Sequence, residues 1–245
     1  MDHCLIVGGT RGIGLASART FAAQGRAVTL IGRRRPELGP DLAGARFLAA
    51  DLSRPGEVVE QARQVCRERG RLTALVFAQR YRGDGDPWAG EIQTTLSATK
   101  ELIEGLAPLF DPEAGGAIVA VSSNAGDFVA RNQPVGYHVA KAGLNQVVRY
   151  YATALGPRNI RVNAVSPCTV LKEESKHFYL GNERLHELYR RITPLGRMGT
   201  AEEVAGVIAF LCGEKASFIT GQNLYVDGGM SLLLHDWLAR DVASS

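Results

Sequence analysis

The sequence predicts a doubly wound α/β fold, with one parallel sheet of seven strands covered by helices on both faces in a single domain. Three observations predict it. Short apolar runs alternate with longer amphipathic segments along the whole chain, the pattern of strands joined by crossover helices. Runs such as "LIV" and "IVAV" are apolar at successive positions, as a sheet buried on both sides requires. No Pro/Ser-rich linker, internal repeat or low-complexity tract divides the chain.

The elements follow in order. "HCLIVG" from His3 to Gly8 reads as the first strand. "IGLASARTFAAQG" from Ile13 to Gly25 places apolar residues at helical spacing and stops on glycine. "AVTLIG" from Ala27 and "ARFLAAD" from Ala45 give two further strands. A polar helix is expected over about residues 54–69, then a strand in "LTALVFA" from Leu72 and a helix over about 91–106. "GAIVAVSS" from Gly116 is the fifth strand, and a long helix starts near Tyr137 and runs to about Leu155. "IRVNAVSP" from Ile160 is the sixth strand, and a charge-rich helical insertion covers about 173–191. A helix from Ala201 to Leu211 and a last strand in "QNLYVDGG" from Gln222 complete the pattern.

Composition narrows the function. A chain of 245 residues, 45% hydrophobic and 22% charged, buries a large core without staples. A net charge of +3 gives no case for a nucleic-acid partner. Cys4, Cys66, Cys168 and Cys212 are far apart, with no metal-ligand spacing. Cys4 and Cys212 sit in apolar runs and read as core. The start lacks a charged region followed by a long apolar one, and no run approaches the ~18 apolar residues of a membrane span. A cytoplasmic location is therefore expected.

The segment "IVGGTRGIG" joins the first strand to the first helix. Gly8, Gly12 and Gly14 fall within seven residues. Glycines there permit a tight turn and close approach of backbone to a diphosphate. The helix start adds free N–H groups and the positive end of the dipole. A nucleotide site is expected. Sites for NAD commonly place an acid after the second strand to hold the ribose 2′-hydroxyl. Here Arg33, Arg34 and Arg35 follow Gly32, and the first acid is Glu37. Arginine's planar fork suits a phosphate. Arg33 and Arg34, with help from Arg11 in the turn, predict NADP(H) in preference to NAD(H). Arg35 is the least favoured of the three.

Tyr137 and Lys141 in "YHVAK" stand four residues apart and share one helix face. That spacing alone does not separate a proton-transfer pair from two surface residues. His138 points about 100° away on such a helix and reads as packing.

Taken with "SSNAG", "VNAVSP" and "PLGRMGTAEEVAGVIAFLCGEKASFITGQNLYVDGG", the chain resembles the short-chain dehydrogenase/reductase superfamily. It is most similar to the single-domain, Rossmann-like branch of 3-oxoacyl-carrier-protein reductases, over nearly its whole length. The resemblance implies a catalytic Ser123, Tyr137 and Lys141, with Ser123 preferred to Ser122 because it lies three residues before Gly126. It implies cofactor contacts at Gly8, Thr10, Arg11, Gly12, Ile13 and Gly14 in the turn. It adds Asp51 and Leu52 after the third strand, Ala78 and Gln79 after the fourth, and Pro167 and Val170 after the sixth. Tyr137 and Lys141 contact the cofactor too. The implied activity is reversible hydride and proton transfer between a nicotinamide and a ketone/alcohol pair. An unperturbed tyrosine titrates near 10, so a neighbouring ammonium is needed to stabilise a phenolate. The competing reading is an NADP(H)-binding sensor or scaffold with little turnover.

Four departures set this chain apart. "FAQR" (Phe77, Ala78, Gln79, Arg80) replaces the usual N-N-A-G. "GEIQTTLSATK" has no relay asparagine, leaving Gln93 or Thr94 as unassigned substitutes. Val7 stands where a threonine is usual, and Cys168 follows Pro167 in place of glycine. The resemblance also makes a segment at about 170–195 cover the substrate, with Phe178, Tyr179 and Leu180 as candidate lining. It makes the tail at about 231–245 a subunit contact, giving a homo-oligomer, dimer or tetramer.

Overall fold

The computed structural model describes residues 2–243. Seven strands form one parallel sheet: β1 (Asp2–Val7), β2 (Ala27–Gly32), β3 (Arg46–Ala49), β4 (Arg71–Phe77), β5 (Gly116–Val121), β6 (Ile160–Pro167) and, last in sequence, β9 (Asn223–Val226). Their order is β3-β2-β1-β4-β5-β6-β9. The order reverses between β1 and β4, and ligands bind at the carboxyl edge beside such a switch point.

Alternation along each strand feeds two cores. In β1, Leu5 and Val7 enter one apolar cluster while Cys4 and Ile6 enter the other, all fully buried. The first cluster is closed by α2 (Pro55–Arg69), α4 (Ala98–Leu106) and α5 (Val135–Leu155), through Val58, Ile103, Leu144 and Val148. The second is closed by α1 (Gly12–Ala23) and α8 (Ala201–Leu211), through Phe21, Val204 and Ile208. Cys4 and Cys212 lie in this second core, as their apolar surroundings suggest.

The structure departs from expectation where tertiary contacts decide. The helix expected over 91–106 begins earlier, as α3 (Pro87–Glu91), capped by Asp86 on the amides of Trp88 and Ala89. It then passes through a π-helical turn (Ile92–Ser97) into α4. Such bulges in a helix often mark functional positions. The long helix starts at Val135, two residues before Tyr137. The insertion is two helices, α6 (Lys176–Leu180) and α7 (Glu183–Ile192), flanked by a small parallel pair of β7 (Val170–Leu171) with β8 (Gly199–Thr200). Two-residue strands carry no sequence period to read. The tail folds as α9 (His235–Ala243), and Ser244 and Ser245 lie outside the described residues. Among the described residues no helix is long and apolar enough to cross a membrane.

The glycine turn is packed backbone to backbone. A Cβ added at Gly14 would stand 2.4 Å from the Gly8 carbonyl oxygen. Gly206 on α8 has open space instead, with nothing within 4 Å of such a Cβ. Gly14→Ala is therefore expected to cost on the order of 1–3 kcal/mol of stability, seen as a lower denaturant midpoint. Gly206→Ala is expected to be neutral or to gain up to about 1 kcal/mol from helix propensity.

Candidate active site

One cleft of about 370 Å³ opens along the carboxyl ends of β1, β2, β4, β5 and β6. Its floor is the glycine turn. Gly8 has φ +76 and its missing Cβ would fall 2.5 Å from the Gln79 backbone nitrogen. Gly12 has φ +52, so both positions need a residue without a side chain. Helix α1 begins here with Arg11 as its N-cap, no side-chain cap and no acid in the first turn. Its leading N–H groups lack helical partners and, with the dipole, favour an anion. Thr10, Arg11, Gly12 and Ile13 line the cleft with Gly8; Gly14 lies behind it as packing.

The adenosine-side candidates separate. Arg33 lines the cleft and donates through Nη2 to the Arg82 carbonyl at 2.8 Å. Arg34 is exposed and does not line it, so the structure does not bring the second favoured arginine to the site. Both lie in the bend after β2, and only Arg33, turned to the Arg82 carbonyl, faces the groove. Asp51 and Leu52 line the cleft. Asp51 Oδ1 accepts from the Ser53 amide at 2.9 Å, and this bond holds its carboxyl below the usual range. Arg33 and Arg54 act in the same direction.

At the opposite end stand Ser123, Tyr137 and Lys141, all on the cleft. Lys141 is 3% exposed. Its Nζ donates to the Val121 carbonyl at 2.7 Å, and burial draws its pKa down to about 8. Glu91 opposes that shift, while Arg80 and Lys172 add to it. Ser122 donates to the Lys141 carbonyl at 3.3 Å and so serves the backbone. Ser123 Oγ accepts from the Ala125 amide at 3.2 Å and donates to Asn124 Oδ1 at 3.4 Å, a long bond that a closer acceptor in the cleft would replace. Lys141 Nζ stands 5.8 Å from the Tyr137 ring centroid. Pro167 and Val170 close this end, with Cys168 beside them. Burial pushes the Cys168 thiol up to about 11, so it is a neutral space-filler at neutral pH.

His138 has a definite task. Nδ1 lies 2.8 Å from the Ala125 carbonyl and Nε2 3.1 Å from the Ala130 carbonyl. It ties the loop after Ser123 to the helix of Tyr137, which is packing rather than chemistry.

The "FAQR" departure resolves residue by residue. Phe77 is 2% exposed in the first core and does not reach the cleft. Ala78 and Gln79 line the cleft. Gln79 Nε2 donates to Thr99 Oγ1 at 2.8 Å and to the Thr94 carbonyl at 3.4 Å. Gln93 and Thr94 both line the cleft, but Gln93 is turned to the Leu52 carbonyl at 3.4 Å. Arg80 is the residue that sequence reasoning placed least well. Its guanidinium carbon stands 4.5 Å from the Tyr137 ring centroid. It is held by Gln133 Oε1 at 2.6 Å and by buried Glu91 at 3.7 Å. Glu91 itself accepts from Thr95 at 2.9 Å. Arg82, Lys172 and Glu174 also line the cleft and carried no motif to mark them. Neither Phe178, 64% exposed, nor half-buried Tyr179 lines it; the side chain of Leu180 lies outside the described residues.

The family model described as enoyl-(acyl carrier protein) reductase matches residues 7–231. An A-factor type gamma-butyrolactone 1'-reductase (1S-forming) of Streptomyces virginiae is 34% identical, covering 94% of this chain and 95% of its own length. A 3-oxoacyl-[acyl-carrier-protein] reductase of Chlamydia muridarum is 30% identical, covering 93% and 96%. A solved short-chain type dehydrogenase/reductase from Mycobacterium ulcerans superposes with a TM-score of 0.84 at 27% identity, covering 94% of this chain and 90% of its own.

Lys141 gives a pH test. Its folded value near 8 is below the unperturbed ~10.4. Between those values the unfolded chain holds the proton and the folded chain does not, so this group's penalty is full below pH 8 and fades as pH rises. Lys141→Met is therefore expected to gain stability relative to the parent most at pH 7, by up to about 3 kcal/mol before the lost Val121 bond is subtracted. The gap should shrink from pH 8 to 10 in urea titrations. A gap constant with pH would refute the buried-ammonium account.

Proposed function

The chain belongs to the short-chain dehydrogenase/reductase family of NAD(P)-dependent oxidoreductases, and from that premise we propose that it is an NADPH-dependent carbonyl reductase acting on a ketone/alcohol pair. One observation carries the reading: Ser123, Tyr137 and Lys141 meet at one end of a cleft whose other end is a glycine turn with Arg33 beside it.

The residues fit a dinucleotide. Gly8, Gly12 and the start of α1 form a cradle that any Cβ would fill. Asp51 and Leu52 would hold the adenine, Arg33 the 2′-phosphate, and Pro167, Val170 and Lys141 the nicotinamide ribose and amide. When bound, the nicotinamide supplies the hydride. Tyr137 gives the proton from its phenol oxygen to the substrate oxygen in reduction and takes it back in oxidation. Ser123 turns its O–H from its long bond to Asn124 onto the same oxygen as charge develops there. Lys141 keeps two N–H donors beyond the one on Val121, for the ribose and for proton return. Arg80 and Lys141 flank the Tyr137 ring, their cationic groups 4.5 and 5.8 Å from its centroid. Of the substrate-covering segment expected at about 170–195, Val170, Lys172 and Glu174 reach the cleft, ahead of the two insertion helices. Leu232, Leu234 and Trp237 are exposed at 82%, 77% and 49% on and before α9, which supports a homo-oligomer built on that patch. The four free thiols support a reducing, cytoplasmic setting.

The rival is an NADP(H) sensor without turnover, favoured by the Arg80 guanidinium that covers the Tyr137 ring. Activity on a ketone panel separates the two. Tyr137→Phe is expected to lower kcat by roughly 10²–10⁴ while NADPH still raises Tm as in the parent. No turnover by the parent, with NADPH binding intact, would favour the sensor. Arg33→Ala is expected to lose the preference for NADPH over NADH in the same titration; an unchanged preference would remove the 2′-phosphate assignment.

A further inference from the structure

Two cations beside the glycine turn have no part in the reading above. Lys172 and Glu174 follow β7 and lie directly over α1's start. A Cβ placed on Gly12 would stand 3.2 Å from Lys172 Cδ and 3.2 Å from Glu174 Oε1. Arg82 comes from the opposite side, on the loop after β4, where its backbone carbonyl is fixed by Arg33 at 2.8 Å. All three line the cleft, together with Arg11 and Arg80.

The charges do not balance within the protein. Desolvation is the largest cause lowering the Lys172 ammonium, and Arg82, Arg80 and Arg11 lower it further against Glu174. Arg82, whose side chain lines the cleft although the residue is exposed overall, is lowered by the same kind of cause, with Arg11 and Arg80 next. Four cations repel one another across one groove. Arg80 has its own partner in Glu91, and Glu174 is the carboxylate that acts on both Lys172 and Arg82. That carboxylate stands where the helix dipole and the turn amides favour an anion.

We propose that Arg82 and Lys172 are the two arms of a cationic clamp for the diphosphate of the bound dinucleotide, and that Glu174 occupies the anion position until the dinucleotide displaces it. The proposal rests on the dinucleotide-binding reading above. The clamp reaches over the turn from two loops that are remote in sequence, so the diphosphate is gripped from above as well as cradled from below. Its contribution is common to NADPH and NADH, because the diphosphate is common to both. Arg33 by contrast acts on the 2′-phosphate alone.

Isothermal titration of the full chain with NADPH, NADH and adenosine 2′-monophosphate tests this. Lys172→Met and Arg82→Gln are each expected to weaken NADPH and NADH alike, by roughly tenfold for a lost charge-assisted bond, leaving their ratio unchanged. Adenosine 2′-monophosphate, which has no diphosphate, should bind parent and both variants equally. Glu174→Gln should tighten both dinucleotides by a few-fold, and raised salt should weaken the parent more than the clamp variants. Variants that bind both dinucleotides within twofold of the parent, or a Glu174→Gln protein that binds them more weakly, would overturn the clamp. A parent that binds neither dinucleotide would instead remove the cofactor reading itself. Should Arg82→Gln fail to fold, seen in its unliganded melt, Lys172→Met and Glu174→Gln decide the question.

Discussion

The bond from Lys141 Nζ to the Val121 carbonyl organises the reactive end of this protein. Lys141 is almost fully buried, and a buried ammonium costs stability unless it is paired. Its partner is the last carbonyl of β5, the strand that leads into Ser123. Ser122 returns the contact by donating to the Lys141 carbonyl, and His138 joins the next loop to the same helix through two more carbonyls. Helix α5 is thereby fixed to the end of β5 through Lys141 and to the loop that follows it through Ser122 and His138. Tyr137, one turn before Lys141, has its position set by that fixation. A stability cost accepted at one residue thus places Tyr137 and Ser123, the proposed acid/base group and oxygen-holding serine, on one wall.

The other wall follows from chain reversal in the sheet. Parallel strands end together, and the reversal of order between β1 and β4 leaves a groove that no crossover helix covers. Backbone fills the floor of that groove so closely that Gly8 meets the Gln79 backbone and Gly14 meets Gly8. The floor presents amides rather than side chains, and the cationic side chains on the cleft arrive from elsewhere: Arg33 after β2, Arg82 after β4, Lys172 after β7.

The departures from the family pattern are redistributed rather than random. Phe77 enlarges the core, Gln79 donates hydrogen bonds to the π-helical turn and α4, and Arg80 spans to Tyr137 and Gln133. The π-helical turn lies where the sequence lacks the relay asparagine. Arg80 brings a positive charge to the ring that the family pattern, with glycine there, would not.

Sequence alone determined the strands, the doubly wound class, the glycine turn and the Tyr137–Lys141 face. Each is written in a local period: alternation of burial along a strand, a four-residue step on a helix, glycines at one junction. Those periods are set by backbone geometry, which acts over a few residues and so leaves its mark in the text. Tertiary structure decided the rest. Arg33 faces the cleft and Arg34 does not, because Arg33 is turned to the Arg82 carbonyl on the loop after β4. Arg80 reaches Gln133 across 53 residues of chain, and Lys172 and Glu174 cover Gly12 from some 160 residues away, a separation read directly from their numbers. No local rule records which loops meet over a shared groove. That is fixed by the order of strands and by the balance of charges the groove must hold, quantities that exist only when the whole sheet has formed.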